Sequence, residues 1–316
     1  IVLRNPAASS TAAVLGIAAA SAVASTIVSS SSVFSVRATN NSNISNMDAF
    51  NTAVVGIVQV VGGGAAELVA YNSPFVAEIA DHSSLSAVAL ATAPKRYGAT
   101  VLGVVSVNFA GSTAVDVNTC SFALRSESSS SLSAGAYERG AAVLGISTTG
   151  VHTAHANVTD CRFAVDSADT SMVADVNQGR AAVILGVFCE SDNAKTNVNV
   201  TRVDVIVSGS NLTMDAKAAS GVAILGILNG RNGGVHDTYT NGITFAVSGT
   251  LLNFVATSGD TGVMLGVRSQ YPSLGTTQVE NSHFLFAASN STLSIGRSGF
   301  AFLGVCSLSP LRLADS

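Results

Sequence analysis

Tryptophan is absent from this 316-residue chain, tyrosine occurs five times, and only 11% of residues are charged. A typical soluble domain is about 25% charged, so the charge-rich surface of an ordinary globular enzyme is missing. Lysine is scarcest, with three against twelve arginines and no basic cluster. A nucleic-acid binder needs a positive stripe to neutralise phosphates, and that function is excluded. Four cysteines are too few for a disulfide-stapled scaffold. Long apolar runs are lacking too. The best membrane-span candidate, Ala12 to Val28, is 17 uncharged residues long and broken by Gly16, Ser21, Ser25 and Thr26. That is the short limit for crossing a bilayer, at about 17–25 residues. Its centre also recurs down the chain, so it reads as a repeated strand, and no transmembrane span is expected in this segment.

What is present is valine, alanine, serine, threonine, asparagine and glycine. Hydrophobic residues make up 47% of the chain, and mean hydropathy is +0.45. β-Branched residues favour the pleated, half-buried surface of a strand. Glycine, asparagine and serine favour turns. Many short strands joined by uncharged turns are expected. The chain opens on Ile1, so a signal peptide is expected to lie upstream or to have been removed.

The strongest signal is a repeat. Val14-Leu15-Gly16-Ile17 returns as Val54-Val55-Gly56-Ile57, Val101-Leu102-Gly103-Val104 and Val143-Leu144-Gly145-Ile146. It continues as Ile184-Leu185-Gly186-Val187, Ile224-Leu225-Gly226-Ile227, Met264-Leu265-Gly266-Val267 and Phe302-Leu303-Gly304-Val305. Successive glycines are 40, 47, 42, 41, 40, 40 and 38 residues apart. A second apolar element follows each anchor, as in Cys120-Ser121-Phe122-Ala123-Leu124 and Cys161-Arg162-Phe163-Ala164-Val165, with the two-residue period of a strand. A third, weaker element, such as Ser131-Leu132-Ser133 or Leu212-Thr213-Met214, precedes the next anchor.

The pattern predicts an all-β parallel β-helix, or β-solenoid, of about eight repeats of about 40 residues over 1–306. Residues 307–316 form a C-terminal tail outside the pattern. With two coils per repeat, roughly sixteen coils would stack at about 4.8 Å into a rod about 75 Å long. An eight-bladed β-propeller is the alternative. The 47-residue spacing is read as a loop inserted around Gly62-Gly63-Gly64 and Pro74. The stacked glycines are read as the place where each coil turns a corner. Start and end both fall mid-pattern without a polar cap, so the array is expected to continue in a longer chain or to dock on neighbours.

Chemistry-bearing residues are sparse. N-x-Ser/Thr acceptors occur at Asn40, Asn43, Asn157, Asn199, Asn211 and Asn290. Asn157 and Asn199 hold equivalent repeat positions and are expected in exposed loops. Cys120 and Cys161 also share a repeat position. On the two-coil reading they lie about 9.6 Å apart, two coil steps, beyond disulfide reach. All four cysteines are therefore read as buried thiols. His152 and His155 fall on opposite strand faces, and Asp116, Asp160, Asp166, Asp175 and Asp204 form no repeated column. No cofactor, metal site or enzymatic activity is expected.

The Val-Leu-Gly-Val anchors, the strand Asn157-Val158-Thr159-Asp160-Cys161-Arg162-Phe163 and the arginine-over-lysine bias resemble the surface-repeat proteins of kinetoplastid protists, in particular the dispersed gene family. More broadly, the chain is similar to β-helical adhesin stalks. The resemblance implies a long, glycosylated, membrane-tethered surface protein, and no catalytic residues carry over. The expected function is a structural or adhesive extracellular β-solenoid in a cell-surface coat, fibre or appendage. Self-association, other surface or fibre proteins and glycans are the expected partners. A carbohydrate-binding or carbohydrate-cleaving β-helix is the alternative.

Overall fold

A computed structural model describes residues 2–5, 11–48, 51–89, 98–136, 140–176, 181–191, 195–218, 221–229, 234–258, 261–269, 275–296, 300–307 and 311–314. Every regular element among them is a strand, and every strand pairing is parallel. The strands fall into two sheets, one of eight strands and one of nineteen. The chain is a parallel β-solenoid.

Each repeat is one coil. An anchor strand, for example Ala99–Asn108, leads to three side strands, here Ser112–Asn118, Ser121–Ser126 and Ser130–Ala136. Each strand pairs with its counterparts one full repeat away: Gly56 opposes Gly103, which opposes Gly145, and Phe75 opposes Phe122, which opposes Phe163. This overturns the sixteen-coil expectation. Eight coils at about 4.8 Å each give a rod about 38 Å long, half that predicted. The same pairing excludes the propeller, whose blades are built from antiparallel strands within a repeat.

The eight-stranded sheet collects the anchor strands in chain order. Their glycines sit in mid-strand, as Gly56 does in Asn51–Val61, and not at a corner. Close approach requires them. A Cβ on Gly16 would stand 1.8 Å from the carbonyl oxygen of Gly56, and one on Gly56, Gly103 or Gly186 would stand 1.9 Å from the next glycine's oxygen. The ladder omits the residue two before each glycine, pairing Ala13 with Ala53 and then Leu15 with Val55. The same break in the ladder recurs from coil to coil, with one residue skipped on both strands of each pair. It slips the inside-outside alternation, so Val54, Val55 and Ile57 all join the main core. Ala53, Val58 and Val60 pack in a separate cluster with Val105 and Val107.

Two tight corners separate the side strands. Ser31, Asn72, Thr119, Asp160, Arg202, Gly242 and Asn281 all have positive φ at the first corner. Asp169, Asn211, Leu251 and Asn290 do so at the second. Asparagine and aspartate tolerate this left-handed conformation better than other side chains. The freed corner N–H groups donate to the neighbouring coil, as Asn72 does to the Asn118 carbonyl at 3.0 Å and Thr119 to that of Thr159 at 3.0 Å.

The interior holds columns of like residues. Phe34, Phe75, Phe122 and Phe163 stack with centroids 4.7 Å apart and planes within 7°. Leu85, Leu132, Met172, Met214 and Phe254 form the inner column of the third side and are fully buried. Full burial of such a side chain contributes about 1.5–3 kcal/mol.

Two further expectations change. Gly64 lies against Gly111 of the next coil, and Pro74 opens a side strand opposite Ser121, so neither marks an insertion. The extra residues of the 47-residue repeat fall between Ala89 and Ala99, where 90–97 lie outside the described residues. At the far end, Leu311–Ala314 pairs with Thr277–Glu280, so the segment set outside the sequence pattern adds a side strand. The Ala12 to Val28 stretch is divided between two ladder strands, Thr11–Ser21 and Ser25–Ser30. Among the described residues, no helix is long and apolar enough to cross a membrane.

Candidate functional site

Alternation along each side strand sends every second residue outward, and parallel register stacks these into exposed columns. On the second side, Val76, Ala123, Ala164 and Ile206 form the middle column. Beside it run Arg37, Glu78, Arg125 and Asp166, whose charge alternates in sign from coil to coil. Arg37 lies 3.6 Å from Glu78, and Arg125 lies 3.9 Å from Asp166. Like charges one coil step apart would repel, and alternation removes that cost. Side-chain exposure here is 48–76%, so each pair contributes only about 0–1 kcal/mol. The middle column together with Glu78, Arg125, Asp166, Arg162 and Ser208 lines a shallow groove of about 580 Å³.

The first side carries an amide ladder. Asn157 Nδ2 donates to Asp116 Oδ1 at 3.2 Å, and Asn199 Nδ2 donates to Asn157 Oδ1 at 3.1 Å. Further along, Asn241 Nδ2 donates to the Tyr239 hydroxyl at 2.9 Å, which donates to Glu280 Oε2 at 3.1 Å. Asn157 and Asn199 therefore sit within strands, half-buried and mutually bonded, and not in the loops expected of them. Asn40, Asn211 and Asn290 stand exposed at the second corner, and Asn43 is exposed at the start of a third-side strand.

At the first corner, Arg202 grips Asp160 with two bonds, Nε to Oδ1 at 2.6 Å and the terminal nitrogen to Oδ2 at 2.7 Å. That hydrogen bonding holds the Asp160 carboxyl below its usual range. His155 is half-buried on the first side, and its pKa is lowered by burial and then by the Lys195 charge. His152 is exposed in the preceding turn. Among the described residues, no three histidine, cysteine or acidic side chains gather as a metal site. The five aspartates named above occupy separate columns or corners.

Sequence reasoning missed a polar seam inside the rod. The third residue after six of the glycines, Gly56 to Gly266, is inward and fully buried: Gln59, Ser106, Thr148, Cys189, Asn229 and Ser269. Gln59 Nε2 donates to the Ser25 and Glu67 carbonyls at 2.8 and 2.9 Å, and Ser106 donates to Gln59 Oε1 at 2.9 Å. Asn229 Nδ2 donates to the Asp237 carbonyl at 2.8 Å. Nearby, Thr196 and a fully buried His236 share a bond of 2.8 Å. The seam ties the anchor strand to the first side through side-chain donors to main-chain carbonyls. The polar residue three after most anchor glycines was the signal that could have found it.

Comparison with protein-family models, with curated proteins and with solved structures finds no significant match to this chain.

Proposed function

We propose that this chain is a structural or adhesive segment of an extracellular β-solenoid, serving in a cell-surface coat, fibre or appendage. The observation that carries the reading is the unbroken register. All four strands of a coil bond to the corresponding strands of the coils before and after. Axial load on such a stack is shared by many parallel hydrogen bonds at once, and no single loop carries it. The outer columns are short, mostly uncharged and internally bonded, which suits side-by-side packing or glycan attachment better than chemistry. The exposed sequons at Asn40, Asn43, Asn211 and Asn290 support an extracellular setting. The proposed role is non-enzymatic.

Electron microscopy and fibre diffraction of natively isolated material test this. Long rods or filaments with an axial repeat of about 4.7–4.8 Å are expected. Isolated particles without axial order would sink the proposal. The groove bounded by Glu78, Arg125, Arg162 and Asp166 favours a second reading, a carbohydrate-binding or carbohydrate-cleaving β-helix. NMR titration with neutral and acidic oligosaccharides decides it: shifts confined to those residues support it, and a flat response rejects it.

A further inference from the structure

Cys120 and Cys161 each follow a positive-φ corner residue, Thr119 and Asp160, and turn inward to 2% and 3% exposure. Their neighbours pair as Asn118 with Thr159 and Ser121 with Arg162, so the cysteines oppose each other in adjacent coils. The local coil step is visible two residues on, where Phe122 and Phe163 stack at 4.7 Å. A disulfide needs a Cα separation of about 4.4–6.8 Å, and one coil step of about 4.8 Å falls inside that range. The Cys120 N–H donates to Cys161 Sγ at 3.4 Å, which draws that sulfur toward its neighbour. Cys189 stands in a different column, with its thiol against the Ala154 carbonyl at 3.5 Å.

The same column holds Ser73 and Ser282, or Val203 and Ile243, in other coils. Ser73 Oγ accepts the Ser32 N–H at 3.3 Å, as the cysteine sulfurs accept N–H groups here. Packing and hydrogen bonding at this corner therefore do not require sulfur. The cysteines occupy neighbouring coils, the one spacing from which they can react with each other.

We propose that Cys120 and Cys161 are a redox-modification site, closing a cross-coil disulfide by exchange with a small-molecule disulfide such as oxidised glutathione. Cys120 is the first nucleophile. The hydrogen bond from Cys161, with help from the Ser73 N–H, holds its thiol below the ordinary range. That same bond and then burial push the Cys161 thiol up. The Cys120 thiolate attacks one glutathione sulfur, forming a mixed disulfide and expelling one glutathione thiolate. Cys161 gives up its proton and attacks Cys120 Sγ, forming the cross-coil bond and expelling the second thiolate. Two protein thiols are oxidised, one glutathione disulfide is reduced to two thiols, and the two cysteine protons end on them. Burial makes access depend on local opening of the corner, so the bond forms slowly relative to an exposed thiol.

The test equilibrates the full chain in glutathione buffers of graded ratio until the products stop changing. Samples are then acid-quenched, unfolded, alkylated and mapped without reduction. A cross-linked peptide containing Cys120 and Cys161 is expected, with the chain lighter by two hydrogens, Cys189 alkylated, and full reversal by dithiothreitol. In Cys161→Ser, which keeps the acceptor found at Ser73, the cross-link disappears and glutathione stays on Cys120. The proposal is overturned if both cysteines remain alkylatable in the most oxidising buffer. It is equally overturned if Cys120 of the unaltered chain stops at the glutathione adduct, or if the bond joins either cysteine to Cys189, Cys306 or a second chain.

Discussion

Two columns of the same coil obey different rules. Down the anchor sheet, glycine recurs in all eight coils, from Gly16 to Gly304, without exception. Down the second side, phenylalanine runs from Phe34 to Phe163, gives way to Val205, and resumes at Phe245 and Phe284. The glycine column is limited by backbone, since an added Cβ at Gly16, Gly56, Gly103, Gly145, Gly186 or Gly266 meets a carbonyl oxygen that cannot move without shifting the next coil. The phenylalanine column is limited by volume, and volume can be made up by neighbours. Backbone limits admit one residue; packing limits admit a class.

The sharpest way to break the comparison is to place a methyl group in each column. Gly103→Ala, at φ 157° with its Cβ position 1.9 Å from the Gly145 oxygen, must displace a coil. A loss of about 4–5 kcal/mol or more is expected, seen as failure to fold or a collapse of the urea midpoint. Retention of the midpoint would mean that the backbone there relaxes freely. Phe122→Ala, in the middle of the stack, is expected to cost about 3–5 kcal/mol. Phe122→Val, which copies Val205, should cost distinctly less. If the two substitutions cost the same, the column is limited by ring stacking and not by volume.

The same distinction explains what could be read beforehand. Gly103 and its counterparts were legible because a backbone clash tolerates no substitute and so leaves a strict period. The coil count was not, because a period of about 40 residues fits one large coil or two small ones equally well. The second-element phenylalanines held the answer: Phe34, Phe75, Phe122 and Phe163 recur at the full period and stack on one another. The corners were obscured for a related reason. Left-handed φ is shared by Asn72 and Asp160, which signal it, and by Ser31, Thr119 and Arg202, which do not. Parallel register forces each of them into the shape of its neighbours.

The polar seam lies between the two kinds of column: its residues vary, and Gln59, Ser106 and Asn229 each carry a buried hydrogen bond there. Gln59→Leu keeps the volume and removes two donors and an acceptor. It leaves the Ser25 and Glu67 carbonyls and the Ser106 hydroxyl without those partners. An unmet buried polar group costs about 1–3 kcal/mol. The loss of stability in denaturant should therefore be of that order and well above that of Ser106→Ala, which removes one donor. Equal losses would show that water enters the seam and replaces the amide.

The smallest effect belongs to the surface, where Arg202 holds Asp160 from the next coil. The ion pair depresses the carboxyl pKa in the folded chain. A depressed carboxylate stabilises the fold at pH values above its unfolded pKa of about 3.9, and that stabilisation disappears as pH falls through the folded pKa. At neutral pH, Arg202→Asn, which keeps a residue suited to positive φ, should barely change stability, because the pair is exposed. The NMR titration of Asp160 should instead move up toward the ordinary range. An unmoved titration would assign the depression to the corner backbone, and the corner would then join the glycines as a column ruled by main chain alone.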